Sequence, residues 1–212
     1  MSPLLSLSRL IDRATDRIGH TVYWLVLVAV LISAANATVR KLFNYSSNAF
    51  LEIQWYLFSA VFLLLAGYTL LNNEHVRIDI VTGRMSPRVR AWIDIFGTVF
   101  FLLPMAFLIM YLSWPVFVDA YERHEVSTNA GGLIIWPARL LVPIGFALLI
   151  VQAASELIKR LAFLRGMIPD PSEKLVEKTA EEELAEDIVR ARGDRDIAEE
   201  IEGIGTGKKS NQ

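Results

Sequence analysis

The chain has 212 residues, 53% of them hydrophobic, and a net charge of −2 that conceals two unlike regions. Residues 1–160 are largely apolar, whereas the segment from Asp170 onward carries most of the acidic groups, so composition implies one membrane domain followed by a polar tail. The absence of cysteine excludes disulfides, thiolate zinc sites, iron–sulfur clusters and thiol redox chemistry. His20, His75 and His124 all fall outside the apolar runs, which argues against a haem held by two histidines between helices.

In chain order, residues 1–20 come first. Leu4, Leu7, Ile11, Ala14 and Ile18 recur at helical spacing, with Arg9, Asp12, Arg13, Asp16 and Arg17 on the other side. That pattern predicts an amphipathic helix lying at the inner membrane surface. Four apolar runs follow, Thr21–Val39, Phe50–Leu71, Trp92–Leu112 and Leu133–Ala154. Each has about the 20 residues that a helix needs to cross a bilayer. They lack the alternation of barrel strands, and only a helix or a closed barrel satisfies its backbone in lipid. The expected fold is therefore all-α: an integral membrane domain over 21–165 with four transmembrane helices, preceded by the surface helix. Val22–Ile32 with Ala35-Asn36-Ala37 imitates a cleaved signal peptide, but the long leader carries Asp12 and Asp16 and the apolar run continues to Val39. A retained span is expected.

The connectors carry their own signals. Val76, Ile80 and Val81 give the second connector a short apolar face, and Ser86-Pro87 reads as an N-cap followed by proline at the first helical position. Pro104 is placed to kink the third span. In the third connector Gly131 and Gly132 precede Leu133-Ile134-Ile135-Trp136-Pro137, and a fourth helix starting at Pro137 would leave Leu133–Trp136 along the interface. Trp24, Trp55, Trp92, Trp114 and Trp136 all lie near span ends, as aromatic belts do. The tail, 166–212, is polar and cytoplasmic, partly helical or disordered. Lys178–Glu182 and Glu186–Arg190 have the spacing of helical ion pairs, and the glycines after Ile201 favour disorder.

Lysine and arginine set the orientation. Arg9, Arg13, Arg17, Arg77, Arg84, Arg88, Arg90, Lys159, Arg160 and Arg165 fall on one side of a four-span arrangement, and only Arg40, Lys41 and Arg123 on the other. Both termini are expected inside.

Ionisable groups within spans are functional candidates by default. Here they are few and lie near the ends: Glu52 and Gln54 in the second span, Asp94 in the third, Arg139 in the fourth. The middles are nearly pure hydrocarbon, which argues against a pump or channel, since these place carboxylates or broken helices near the midplane. Glu52, Trp55, Tyr56 and Ser59 share a helical face, and a Glu52–Arg139 or Glu52–Asn36 contact is expected to tie helices together. His75 and Asp79 would share a face in a helical connector, with Arg77 meeting lipid headgroups or all three docking a partner. No nucleophile–base pair, metal spacing or phosphate-binding glycine loop occurs. No catalytic residue, metal or cofactor is expected, and no nucleic acid.

Three short motifs now align in order. Glu52–Tyr56 reads Glu-x-Gln-Trp-Tyr early in the second span, His75–Asp79 reads His-Val-Arg-Ile-Asp after it, and Pro143–Gly145 reads Pro-Ile-Gly in the fourth. Over residues 15–165 the chain resembles the small, DctQ-like permease subunit of tripartite ATP-independent periplasmic (TRAP) transporters. The charged tail is not part of that pattern. The resemblance implies a bacterial inner-membrane protein that acts as scaffold for a large multi-span permease subunit. That subunit moves a solute, often an organic acid, with sodium after a periplasmic solute-binding protein has captured it. Carried onto the motif positions, it implies that Glu52, His75, Arg77 and Asp79 serve assembly rather than solute binding, and Gln54, Trp55 and Arg139 stand beside them as subunit-interface candidates. The alternatives are a stand-alone four-helix exporter, or a membrane-bound enzyme using Glu122, His124 and Glu125 of the third loop.

Overall fold

A computed structural model of the chain describes residues 2–44, 47–72 and 85–169. The expected connector face at Val76, Ile80 and Val81 and the expected tail pairs Lys178–Glu182 and Glu186–Arg190 lie outside those residues. The elements are α1 (Ser2–Phe43), α2 (Asn48–Leu71), α3 (Pro87–Gly97), a π-helical turn (Thr98–Leu102), α4 (Leu103–Glu122) and α5 (Trp136–Leu164). Among the described residues there is no strand, only an isolated antiparallel bridge between Val126 and Ile134. Four helices are long and apolar enough to cross a membrane, the third formed by α3, the π-turn and α4 together.

The first helix differs from the expectation. No separate surface helix precedes the first span, because α1 runs unbroken from Ser2 to Phe43, about 63 Å at 1.5 Å per residue. Its N-terminal half packs against neighbours along one side. Ser8, Gly19, Val22 and Ala29 are buried, and Asp12 and Thr15 turn to the same side. The polar face of the expected amphipathic segment is thereby divided: Asp12 faces the bundle while Arg9, Arg13 and Arg17 stay exposed. Leu4, Leu7 and Leu10 are exposed as well.

α3 starts at Pro87 with Ser86 as its extended N-cap residue. The effect of Pro104 is a widened turn rather than a simple kink. A proline has no N–H to give the carbonyl four residues back, and its ring crowds that carbonyl. The chain meets this by opening Thr98–Leu102 into a π-turn just before Pro104, which sits in the first turn of α4. Pro137 likewise sits in the first turn of α5, which begins at Trp136 and runs ten residues beyond the expected end of the fourth span, to Leu164.

α5 is the centre of the bundle. It packs against α1, α2, α3 and α4, and α1 packs on α2. In the most apolar window of α5, 33% of residues are buried, against 6–11% in the other three spans. The buried apolar residues are almost all alanine, and Gln152, Ser155, Glu156 and Arg160 are buried beside them. Large side chains such as Trp24, Phe62 and Tyr111 point outward. Such an arrangement suits lipid, where small interfacial residues let helix backbones approach and polar side chains bond across them. Gly145 shows how close the approach is, because a Cβ there would lie 2.8 Å from Leu63 Cβ and 2.9 Å from Leu63 O.

Replacing that glycine tests the packing. Gly145→Ala is expected to lower stability by about 1–3 kcal/mol through overpacking, although alanine is the better helix former. Gly97→Ala, where an added Cβ meets nothing within 4 Å, is expected to be neutral or slightly stabilising. Thermal unfolding of the two variants in detergent checks the opposite signs.

Candidate functional site

Polar side chains gather at the two ends of the bundle. At the end formed by the start of α2 and the 123–135 connector, Glu52 projects from the second turn of α2 toward the connector. Its carboxylate accepts the Leu133 backbone N–H at 2.7 Å, the Asn129 side-chain N–H at 2.9 Å and the Ser127 hydroxyl. A carboxylate that collects three donors is well suited to hold a loop. Asn48 Nδ2 donates to Ala130 O at 3.0 Å, and the Tyr56 hydroxyl donates to Ile134 O at 3.2 Å. The connector also folds on itself. Ser127 N–H donates to Leu133 O, Ile135 N–H donates to Glu125 O, and Arg139 forms a two-pronged pair with Glu125 at 2.5 and 2.8 Å. Gly132 is required here, since a Cβ would lie 2.5 Å from that of Ser127.

At the opposite end, α5 offers Gln152, Ser155, Glu156 and Lys159 at helical spacing, facing Ser8, Asp12 and Thr15 of α1. The Thr15 hydroxyl donates to Gln152 Oε1 at 2.8 Å, and Gln152 Nε2 donates to Asp12 Oδ1 at 3.0 Å. The Ser155 hydroxyl reaches the same Asp12 oxygen at 2.8 Å, and the Ser8 and Ser155 hydroxyls lie 2.7 Å apart. Lys159 Nζ bridges Asp12, at 3.1 Å, and Glu156. One residue on, Arg160 pairs with Asp94 of α3 at 2.5 Å. α5 is thus tied to α1 and α3 by ion pairs that are largely out of solvent.

The expected site residues divide accordingly. Glu52 meets neither Arg139 nor Asn36: it binds the connector, while Arg139 binds Glu125. The correction has a geometric cause, since the connector folds back over the start of α2 and brings its own donors closer than α5 can. Gln54 accepts the Ser33 hydroxyl at 2.9 Å, joining α2 to α1. Trp55 is 73% exposed on the outer face of α2. His75, Arg77 and Asp79 lie outside the described residues. The third-loop trio is occupied structurally in two of its members, with Glu125 in the Arg139 pair and His124 Nδ1 2.8 Å from Tyr121 O. Among the described residues no three His, Cys, Asp or Glu side chains converge as a metal site. Sequence reasoning missed Ser8, Thr15, Gln152, Ser155 and Glu156. The available signal was that Gln152, Ser155, Glu156 and Lys159 recur at three- and four-residue intervals, matching Ser8, Asp12 and Thr15.

The family model described as "Tripartite ATP-independent periplasmic transporters, DctQ component" matches residues 10–163. The comparisons with curated proteins and with solved structures gave no match. The matched stretch takes in both polar ends and stops just short of the end of α5.

The Glu52 clamp yields a local prediction. Glu52→Ala removes the acceptor shared by the Leu133 N–H, the Ser127 hydroxyl and the Asn129 amide. Local opening of the connector should become about tenfold or more frequent. Hydrogen–deuterium exchange at the Leu133 amide checks this, with the amides of α4 expected to stay protected.

Proposed function

The chain belongs to the DctQ family of tripartite ATP-independent periplasmic transporter components, and from that premise we propose that it is the scaffold of an ion-coupled uptake system for a solute such as an organic acid. It is a multi-pass membrane component of a transporter family rather than of an enzyme family. The observation that carries the scaffold role is where the charged groups of its spans are used. Glu52 and Arg139 hold the connector, Asp94, Lys159 and Arg160 hold helices to one another, and Glu156 pairs with Lys159 on its own helix. Charges spent on internal contacts leave a stiff body whose outer surface is apolar.

In the proposed assembly the partners are a large multi-span permease subunit, a periplasmic solute-binding protein and membrane lipid. Van der Waals packing and end-on polar contacts hold helices together in lipid, where burial of apolar surface supplies no extra drive. Trp55 is exposed to touch a partner directly, and His75, Arg77 and Asp79 are the connector positions assigned to assembly. Glu52 and Arg139 act on assembly through this chain's own shape, because their polar atoms are turned to internal partners, and Gln54 does so through its Oε1, which accepts from Ser33. Phe107, Met110, Tyr111 and Trp114 of α4 line an apolar hollow of about 800 Å³ that offers further packing surface. The proposed location is the bacterial inner membrane with both termini cytoplasmic, and solute choice resides in the other chains.

Two measurements check these statements. The tagged chain, extracted from native membranes in mild detergent, should copurify with a large multi-span permease in equal amount, and should move no solute alone in liposomes. Recovery of the chain by itself, or only as its own dimer with transport activity, would sink the scaffold role. For orientation, the absence of cysteine makes single-cysteine labelling clean. Asn129→Cys should react with a membrane-impermeant maleimide on whole spheroplasts, and Arg13→Cys only after the membrane is opened.

A further inference from the structure

A second polar feature at the Glu52 end goes beyond the scaffold role. Ser33, Asn36, Arg40 and Lys41 from the last turns of α1, Asn44 just beyond its end and Gln54 of α2 line a pocket of about 360 Å³. The lining contains amides, a hydroxyl and two cations, and no acidic residue. Other cations at this end of the bundle are neutralised by neighbours: Arg139 by Glu125, and Arg123 by Asp119 at 2.6 Å. Arg40 and Lys41 have no acidic partner among the described residues. Their position in the last turn complements the helix dipole. That leaves the convergence of amides unexplained. Gln54 adds the sharpest sign, because its Oε1 accepts from Ser33 while its Nε2 is buried without a hydrogen-bond partner. A buried N–H without an acceptor is costly, and such groups in a folded chain call for an explanation.

We propose that this pocket binds the phosphate of a phospholipid headgroup. A phosphate supplies the acceptor oxygen that Gln54 Nε2 lacks and the negative charge that Arg40 and Lys41 lack, and Asn36 and Asn44 add donors. The surroundings select a lipid as its source. Leu42 and Phe43 follow Lys41 at the end of α1, and Phe50 and Leu51 precede Gln54 by one helical turn, all of them exposed. A phosphate held between cationic and amide groups at a helix end, with apolar side chains beside it, matches a lipid at the level of its headgroup.

The test is native mass spectrometry of the full chain released from neutral-detergent micelles, with dioleoylphosphatidylglycerol as probe. The wild-type chain is expected to retain one tightly held lipid. Arg40→Gln/Lys41→Gln should lose it, and Gln54→Leu should weaken it about tenfold. Arg13→Gln/Arg17→Gln, which removes exposed cations at the other end of α1, should leave it in place. Unchanged thermal unfolding of the variants, whose Arg40 and Lys41 positions are exposed, shows that the fold is intact. Equal retention by Arg40→Gln/Lys41→Gln would overturn the proposal. So would equal retention of dioleoylglycerol, which has no phosphate. Displacement of the lipid by inorganic phosphate at matched concentration would overturn the lipid assignment and give the pocket to a free anion.

Discussion

Lys159 sits between two carboxylates, Asp12 of α1 and Glu156 of its own helix, and the arrangement of the bundle turns on that contact. Asp12 is also where Gln152 and Ser155 converge, so three side chains of α5 address one carboxylate of α1. In lipid there is no hydrophobic force to sort one helix face from another, and specific bonds and close approach must do it. The Asp12 contacts fix the register of α1 along α5. The Arg160–Asp94 pair fixes α3 on another side of α5. Removing one partner of such a pair leaves a charge without compensation, which costs far more than the pair itself contributes. The network therefore defines which packing is allowed more than it adds to stability.

Small residues complete what the charges begin. Gly145 lies against Leu63 where a methyl group has no room, and Ala60, Ala106, Ala120 and Ala153 are buried in the same manner. The aromatic and branched residues that would fill the core of a soluble protein are on the outside here. Four of the five tryptophans are exposed. The exterior is thus the apolar side of the molecule, the reverse of the usual soluble distribution, and it is the side that lipid or another membrane subunit covers.

Much of this was legible in the sequence because hydrocarbon thickness and backbone satisfaction leave few choices. Four runs of about 20 residues can only be four helices, and Pro87 and Pro137 mark starts that the structure places within a residue. The partners of the polar groups were less accessible. Glu52 was singled out for sitting inside a span, but its partner could not be read from depth alone. Arg139 lies at a similar depth, yet Ser127, Asn129 and Leu133 reach Glu52 because the connector doubles back, and that depends on the tight turn through Gly132. The Asp12 network was hidden for a different reason. Residues 1–20 carry a convincing amphipathic pattern, which drew Asp12 to the solvent side together with the arginines. Only the continuity of α1 through Gly19 and the extra length of α5 bring Asp12 opposite Gln152 and Lys159. The match of the family model to residues 10–163 agrees with the order of the motifs, but it does not carry pairings of this kind.

The π-turn at Thr98–Leu102 is a seam within the third span. Ala91 lies 15 residues before Ala106 and Ala120 lies 14 after it, and all three are buried. At about 100° per residue those spacings leave remainders of about 60° and about 40° toward the same side, so a straight α-helix would already keep the three alanines on one face. The turn is therefore not what aligns them. It sits where a helix carrying Pro104 must do without one backbone donor. A regular helix through this stretch would keep the small-residue face, so the seam is a local accommodation of the proline and not a demand of the packing.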